Sequence, residues 1–380
     1  MTSQERKEQR YLRRKAKRES KKTEYISKYN DISLVYEVNN LYKASIAIQR
    51  GIRWKRSTHH YDMNILKHIA MHVKNFNDGI MIKRKDVHFN ISERGKIRNI
   101  SSVNISERAI HKSLVNNVLL PILYRNLIYD NGSSIKNKGI TFALNRLSLH
   151  LKRYYRANNF SNDGYILLID LSKYFDSIQH DKVIEMLHKT GLNQQLIDFV
   201  MYFIDNGTNK GLTLGSEINQ ALAIGFANSI DHYIKDKLGI KYYGRYMDDS
   251  YIICNNKKQL NEYLRLITIE YNKLGISINT RKTGIFKLKS GFNYLKIRYI
   301  LTPTGKIIKK PYKKSIIYQL RKMKKFKKFY DNKTMTMDNI YQSYTSWRNN
   351  VAKYNAYKII KCADKLYQKL FVAKENANDR

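Results

Sequence analysis

Two adjacent aspartates, Asp248 and Asp249, stand between apolar runs in KYYGRYMDDSYIICNN, positions 241–256. YGRYM before them and SYIIC after them read as two β-strands joined by a tight turn, rich in the aromatic and β-branched residues that strands favour. A hairpin tip holding two like charges is repulsive unless water bathes it or a cation faces it. A second short apolar strand, in GYILLIDLSKYF, runs into another acidic position, Asp170. Paired side by side in one sheet, strand and hairpin would bring Asp170, Asp248 and Asp249 together. Three carboxylates without counterions repel strongly, so the cluster asks for divalent metal. Ligands that are all oxygen select Mg²⁺ or Mn²⁺ over zinc or copper. Two such ions clamp the attacking and leaving oxygens of an in-line phosphoryl displacement. Any one of these aspartates taken alone reads as a turn or cap residue.

The charge balance points to matching substrates. Against 31 Asp+Glu the chain carries 71 Lys+Arg, a net charge of +40, and no acidic segment offsets it. A field of that sign attracts polyanions, and 30 tyrosines supply rings that stack on bases. An AT-rich genome also enriches Lys, Asn, Ile and Tyr, so composition by itself leaves both readings open. With 380 residues and 42% apolar content, the chain is long enough for two or three packed subdomains and is not disordered throughout. Only two cysteines occur, Cys254 and Cys362, which argues against a disulfide framework or a zinc cluster and fits a reducing cytoplasm. The N-terminus lacks the apolar core of a secretory signal, and no apolar run approaches the ~18 residues of a membrane span.

Residues 4–30 read as a basic helix with ten Lys/Arg in the first 22 positions, either a solvated face or a polyanion-binding arm. Helical patterning covers 33–75, and MIKRKDVHFNIS with GKIRNISSVN reads as a basic hairpin turning at Glu93-Arg94-Gly95. Helices are expected over 106–128, with Pro121 as a break, and over 139–157, 180–204, 217–238 and 257–274. A strand is expected at 276–279, a further strand pair in FKLKSGFNYLKIRYIL, and basic helices from about 311 onward. The order of elements gives an α+β fold.

These motifs together resemble a reverse transcriptase. YMDD at 246–249 and LLIDLSKYFDSI at 167–178 are similar to the family's palm, with 78 positions from Asp170 to Asp248. GKIRNISSVNISERAIHKSLVNNVLLPIL and KGITFALNRL resemble its two fingers motifs, and GLTLGSEINQALA at 211–223 its Gly-rich primer- and template-facing loop. LGISINTRKTGIF resembles the motif with a late lysine, and NYLKIRYIL the primer-grip hairpin before a helical thumb. The resemblance covers roughly residues 35–350. It implies a right-hand polymerase: a basic N-terminal arm over 1–34, fingers and the start of the palm over 35–160, palm over 161–300, and a helical basic thumb over 301–380.

The resemblance also implies roles. Asp170, Asp248 and Asp249 match the triad that holds two Mg²⁺ ions, or Mn²⁺. Lys282 matches the lysine suggested to protonate the leaving pyrophosphate. Arg98, with Lys96 as a second candidate, matches the fingers cation on the incoming triphosphate. Phe175, five positions past Asp170, matches the bulky residue that excludes the ribose 2′-hydroxyl. Gly215 and Gln220 are the candidate substrate contacts of the loop. Outside this motif order Phe175 reads as a core aromatic, and Arg98 and Lys282 as two of many surface cations.

Two departures bear on template and primer handling. Thr213 and Leu214 precede Gly215 where the family has Pro-Gln, and Lys296 follows Leu295 where it has glycine. Both place the chain nearer the stand-alone bacterial enzymes of defence-associated and unknown-group type, related to group II intron, retron and diversity-generating enzymes. The expected partners are dNTPs, a DNA product and an RNA template, expected to be a structured non-coding RNA, in the cytoplasm and without a membrane. No RNase H or integrase segment is expected past the thumb. The expected activity is RNA-templated DNA synthesis in anti-phage defence. The alternatives are untemplated or protein-primed DNA synthesis, a mobile-element or diversity-generating enzyme, an RNA-dependent RNA polymerase, and an RNA-binding scaffold with an inactive polymerase fold.

Overall fold

Among the described residues, nine strands and a larger number of helices form two compact units: residues 1–134, 171–239 and 265–279 make the first, and 135–170, 240–264 and 280–380 the second. The structure, a computed structural model, describes residues 2–372 except Arg94 and the side chains of Glu93 and Lys96. The middle of the expected turn and the candidate side chain of Lys96 therefore lie outside the described residues.

The first unit is helical apart from one antiparallel hairpin, β1 (Asp86–Glu93) and β2 (Lys96–Val103). Its N-terminal helix, Ser3–Ser27, opens on a capping box in which Thr2 and Glu5 satisfy each other's backbone N–H groups. Every residue from Thr2 to Glu24 is exposed. Contact with the unit is confined to the last two turns, where Ile26 is buried and the Arg125 guanidinium lies 4.1 Å from the Tyr25 ring centre. The core of this unit is drawn from side chains such as Leu41, Ile110, Leu114, Val118 and Leu222, all fully buried.

Three expected helices are interrupted. The 106–128 stretch becomes Ile105–Leu114, a π-helical turn Val115–Leu119, and Leu120–Tyr124, so the regular ladder is already lost before Pro121. The 180–204 stretch breaks at Gly191, whose φ of +92° ends helix His180–Thr190 in the left-handed conformation open to glycine. The 217–238 stretch divides into Glu217–Phe226, Asn228–His232 and a second π-helical turn, Tyr233–Lys237. The strand expected at 276–279 is not formed. Ile278 makes only an isolated bridge to Leu171, and the Ser172 N–H donates to the Ser277 carbonyl at 2.9 Å.

The second unit carries the sheets. β3 (Tyr165–Asp170), β4 (Tyr243–Tyr246), β5 (Asp249–Cys254) and β6 (Gly284–Lys287) form an antiparallel sheet in the order β4-β5-β3-β6. Helix Ile140–Ala157 contributes Leu144, Leu147, Leu151 and Tyr154, spaced for one face, to the core beside Ile166, Tyr251 and Ile253. Burying each such aliphatic side chain stabilises by roughly 1.5–3 kcal/mol. A second sheet, β7 (Phe292–Tyr294), β8 (Ile297–Leu301) and β9 (Ile307–Pro311), shares that core; β9 had no expected counterpart. Helices Lys313–Asp331, Met337–Ala352 and Tyr357–Tyr367 pack around Met323, Ile340 and Ala363. The fold is α+β, as the element order implies.

Candidate active site

The two acidic segments meet on the central strands. β3 pairs with β5 so that Asp170 and Asp249 are register partners, and β4 pairs with β5 with Tyr246 opposite Asp249. Met247 and Asp248 are thus the whole of a two-residue turn. Met247 sits at φ +53°, the left-handed geometry that primed hairpin turns require at their first central position. Such a conformation costs a non-glycine residue of order 1 kcal/mol or more and persists only where the surroundings enforce it.

Arg245 is one of those surroundings. Only 1% exposed and on β4, it is among the largest fully buried side chains, and its guanidinium donates to the Met247 carbonyl at 3.2 Å. The clue in the sequence was an arginine inside an otherwise buried strand. It was not singled out beforehand.

Charge is dense at this end of the sheet. Burial, then the neighbouring Asp248 and Asp170, push the Asp249 carboxyl up to about 7, while Lys282 and Lys296 pull it down. Lys282 enters just ahead of β6 and its ammonium donates to both oxygens of Asp170, at 2.8 and 2.7 Å. The Asp170 N–H donates to Thr283 Oγ1 at 3.2 Å, which ties the same two segments by backbone. Lys282 therefore joins the three carboxylates, where sequence spacing left it one cation among many. Lys296 belongs to the β7–β8 turn, and both Leu295 and Lys296 have positive φ there, +46° and +65°. The hairpin thus keeps a primed turn without the glycine that would make it strain-free.

The donor set suits a hard divalent cation: all the candidate ligands are carboxylate oxygens, and burial together with the Asp248 and Asp170 charges makes Asp249 resist ionising. As arranged, Asp170 is turned to the Lys282 ammonium, and among the described residues no three His, Cys, Asp or Glu side chains form a ready ligand cluster.

The remaining candidates lie in the first unit. Phe175 follows Lys173, itself left-handed at φ +43°. Tyr174 takes the buried place and its hydroxyl donates to the Ala223 carbonyl at 2.6 Å, leaving Phe175 half-buried against it. The Leu212 N–H donates to the Phe175 carbonyl at 2.9 Å, so Phe175 is tied to the Gly-rich loop. That loop lies along β2: Leu214 bridges Ile100, and the Ser101 N–H donates to the Leu214 carbonyl at 2.9 Å. Gly215 has φ +118°, and a Cβ there would stand 2.2 Å from the Ser101 oxygen, so glycine is required. Buried Asn219, not foreseen, braces the loop by donating to the Thr213 carbonyl and hydroxyl, both at 2.9 Å. Gln220 is half-buried one position on, and Arg98 is exposed on β2 opposite Ile91.

No helix among the described residues is long and apolar enough to cross a membrane. No curated protein matches the sequence. Similar solved structures include apo telomerase from Candida tropicalis truncated from its C-terminal domain, at 13% identity, TM-score 0.46, covering 59% of this chain and 54% of that one. Telomerase from Candida albicans in complex with the TWJ fragment of telomeric RNA is similar at 10% identity, TM-score 0.47, covering 76% and 61%. Apo telomerase from Candida tropicalis is similar at 12% identity, TM-score 0.46, covering 81% and 64%. The chain thus spans between 54% and 64% of the length of these three. The family described as reverse transcriptase (RNA-dependent DNA polymerase) matches residues 82–299, more than half of the sequence. The chain belongs to the reverse transcriptase family.

Proposed function

We propose that this protein synthesises DNA on an RNA template, using Asp170, Asp248 and Asp249 to hold two Mg²⁺ ions, with Mn²⁺ as a substitute. One observation carries the reading: Asp170 faces Asp249 on the central strands, with Asp248 at the turn beside them. When bound, the ions supply the positive charge that stabilises the attacking and leaving oxygens of nucleotidyl transfer. The chain's own groups do the rest. Lys282, now resting on Asp170, transfers its hold to the triphosphate and gives a proton to the leaving pyrophosphate. Arg98 grips the triphosphate, and the Gly215 loop with Gln220 contacts primer and template. The half-buried ring of Phe175 packs against the deoxyribose and leaves no room for a 2′-hydroxyl.

The resemblance to stand-alone bacterial enzymes supports a finer reading: a structured non-coding RNA as template, work in a reducing cytoplasm, and a role in anti-phage defence. The sugar choice tests the reading. Primer extension on RNA with the parent protein should favour dNTPs over NTPs strongly, and Phe175→Ala should raise ribonucleotide use at least tenfold relative to deoxynucleotide. A folded Phe175→Ala protein with unchanged discrimination would make that ring a packing residue. Sequencing the nucleic acid that co-purifies should return one dedicated RNA and its cDNA; random cellular RNA would remove the dedicated template.

A further inference from the structure

We propose that the N-terminal helix is a phosphate-reading arm whose densest cationic stripe lies along the backbone of a base-paired RNA segment. The inference rests on the nucleic-acid reading above and says where, and in what form, RNA is held. At 3.6 residues per turn, six of the ten Lys/Arg of helix Ser3–Ser27, Arg6, Arg10, Arg13, Arg14, Lys17 and Lys21, fall within about 100° of its circumference. Lys7, Lys15, Arg18 and Lys22 spread the rest over about another 100° to one side of that stripe. Glu5, Glu8 and Glu19 fall within about 60° on the opposite side. Glu24 is the exception, and it pairs with Lys28 at 3.5 Å. The stripe from Arg6 to Lys21 runs about 22 Å at 1.5 Å per residue.

This arrangement disfavours the helix by itself. Arg6–Arg10, Arg10–Arg14, Arg13–Lys17 and Lys17–Lys21 are like-charge pairs at i,i+4, each of which weakens a helix. Little tertiary contact offsets that between Thr2 and Glu24: every residue is exposed, and the Lys22 ammonium donates to the Lys189 carbonyl at 3.5 Å. A polyanion along the stripe removes the repulsion, and guanidinium groups suit phosphate because they bond it in a bidentate fork.

The occupant follows from what the stripe lacks. Binding to a lipid surface needs an apolar face opposite the charges, but between Thr2 and Tyr25 only Tyr11 and Leu12 are large apolar side chains. Single strands are held by aromatic rings that stack on bases, and Tyr11, the one ring between Thr2 and Glu24, projects outside the stripe of about 100°. A straight row of cations with neither feature matches the phosphates of a duplex, which proteins recognise in RNA by backbone and shape.

Full-length protein and an RNA hairpin of about 20 base pairs provide the test, with a single strand of equal length beside it. Replacing Arg6, Arg10, Arg14, Lys17 and Lys21 by Gln should weaken hairpin binding about a hundredfold or more near 0.1 M salt and flatten the log–log salt slope by about four. A charge-neutral swap, Arg10→Glu and Arg14→Glu with Glu8→Arg and Glu19→Arg, should lose affinity comparably, because it breaks the stripe at constant net charge. Both variants should extend a supplied primer–template like the parent. A swap variant that binds like the parent would reduce the arm to net charge alone. Equal binding of the single strand, or equal competition by anionic phosphatidylserine vesicles or polyglutamate, would also overturn the assignment. If the parent fails to extend any primer while the hairpin still responds to the stripe, the polymerase reading falls and the arm stands.

Discussion

The carboxylate end of the β4-β5-β3-β6 sheet and the N-terminal helix treat charge in opposite ways. In the sheet, acidic groups are crowded and partly buried, and cations are placed among them from within the fold: Lys282 on Asp170 and Lys296 within electrostatic reach of Asp249, while buried Arg245 donates to the Met247 carbonyl of the turn. On the helix, cations are just as crowded, but they are exposed, and six of the ten line one side. Taking a charge out of water costs several kcal/mol unless it is paired, whereas surface charges of one sign cost tenths of that per pair. A buried cluster therefore has to be answered from within the fold. An exposed stripe can wait for a partner.

Removing one of the buried answers breaks this comparison most severely. Arg245→Met should cost about 3–5 kcal/mol of stability, since it strips a buried cation from its partners and leaves the Met247 carbonyl without that donor. Arg245→Lys should recover part of the loss. Chemical denaturation of both, read against the parent, checks the prediction, and a Met variant within 1 kcal/mol of the parent would mean the buried guanidinium holds nothing in place.

A third strategy, keeping a buried group neutral, should give a smaller effect. His72 is 4% exposed, its Nε2 lies 2.8 Å from Ser106 Oγ, and burial followed by the neighbouring His68 pulls its pKa down to about 4. Above pH 6.5 the ring is neutral whether the chain is folded or not, so it contributes no pH dependence. Below that the unfolded chain takes up the proton and the native state does not, so stability falls as pH drops from about 6.5 to 4, by up to about 3 kcal/mol. His72→Gln should flatten the curve in that window. An unchanged slope would place the acid sensitivity elsewhere.

Much of the sheet was legible in the sequence because its signals are local. Alternation and apolar runs marked β3 and the 241–256 hairpin, and their acidic ends implied the pairing that brings Asp170 opposite Asp249. The breaks at Val115–Leu119 and Tyr233–Lys237 were not legible, because a single π-helical turn offsets the apolar spacing by about one residue, too little to stand out in the pattern. Residues 276–279 have strand-like composition, but Ile278 finds a single bridge partner in Leu171, and pairing is decided by distant chain. The partnership of Lys282 with Asp170 spans 112 positions, and apart from the motif it resembles nothing local distinguishes that lysine from its neighbours. Gly215 is intermediate: the sequence marks a glycine in a loop, and only the Ser101 oxygen 2.2 Å from its would-be Cβ explains why no other residue fits.

The central claim is that the three carboxylates perform chemistry and do not hold the fold together. The most direct measurement is primer extension on an RNA template by Asp248→Asn/Asp249→Asn, run beside its thermal unfolding in metal-free buffer. Asn keeps the shape and removes both the cost of burying the Asp249 charge and its repulsion by Asp248 and Asp170, so the double variant should unfold at the same temperature as the parent or higher. Synthesis should fall by at least about a thousandfold, and added Mg²⁺ should not restore it. Robust extension by the folded double variant would contradict the account.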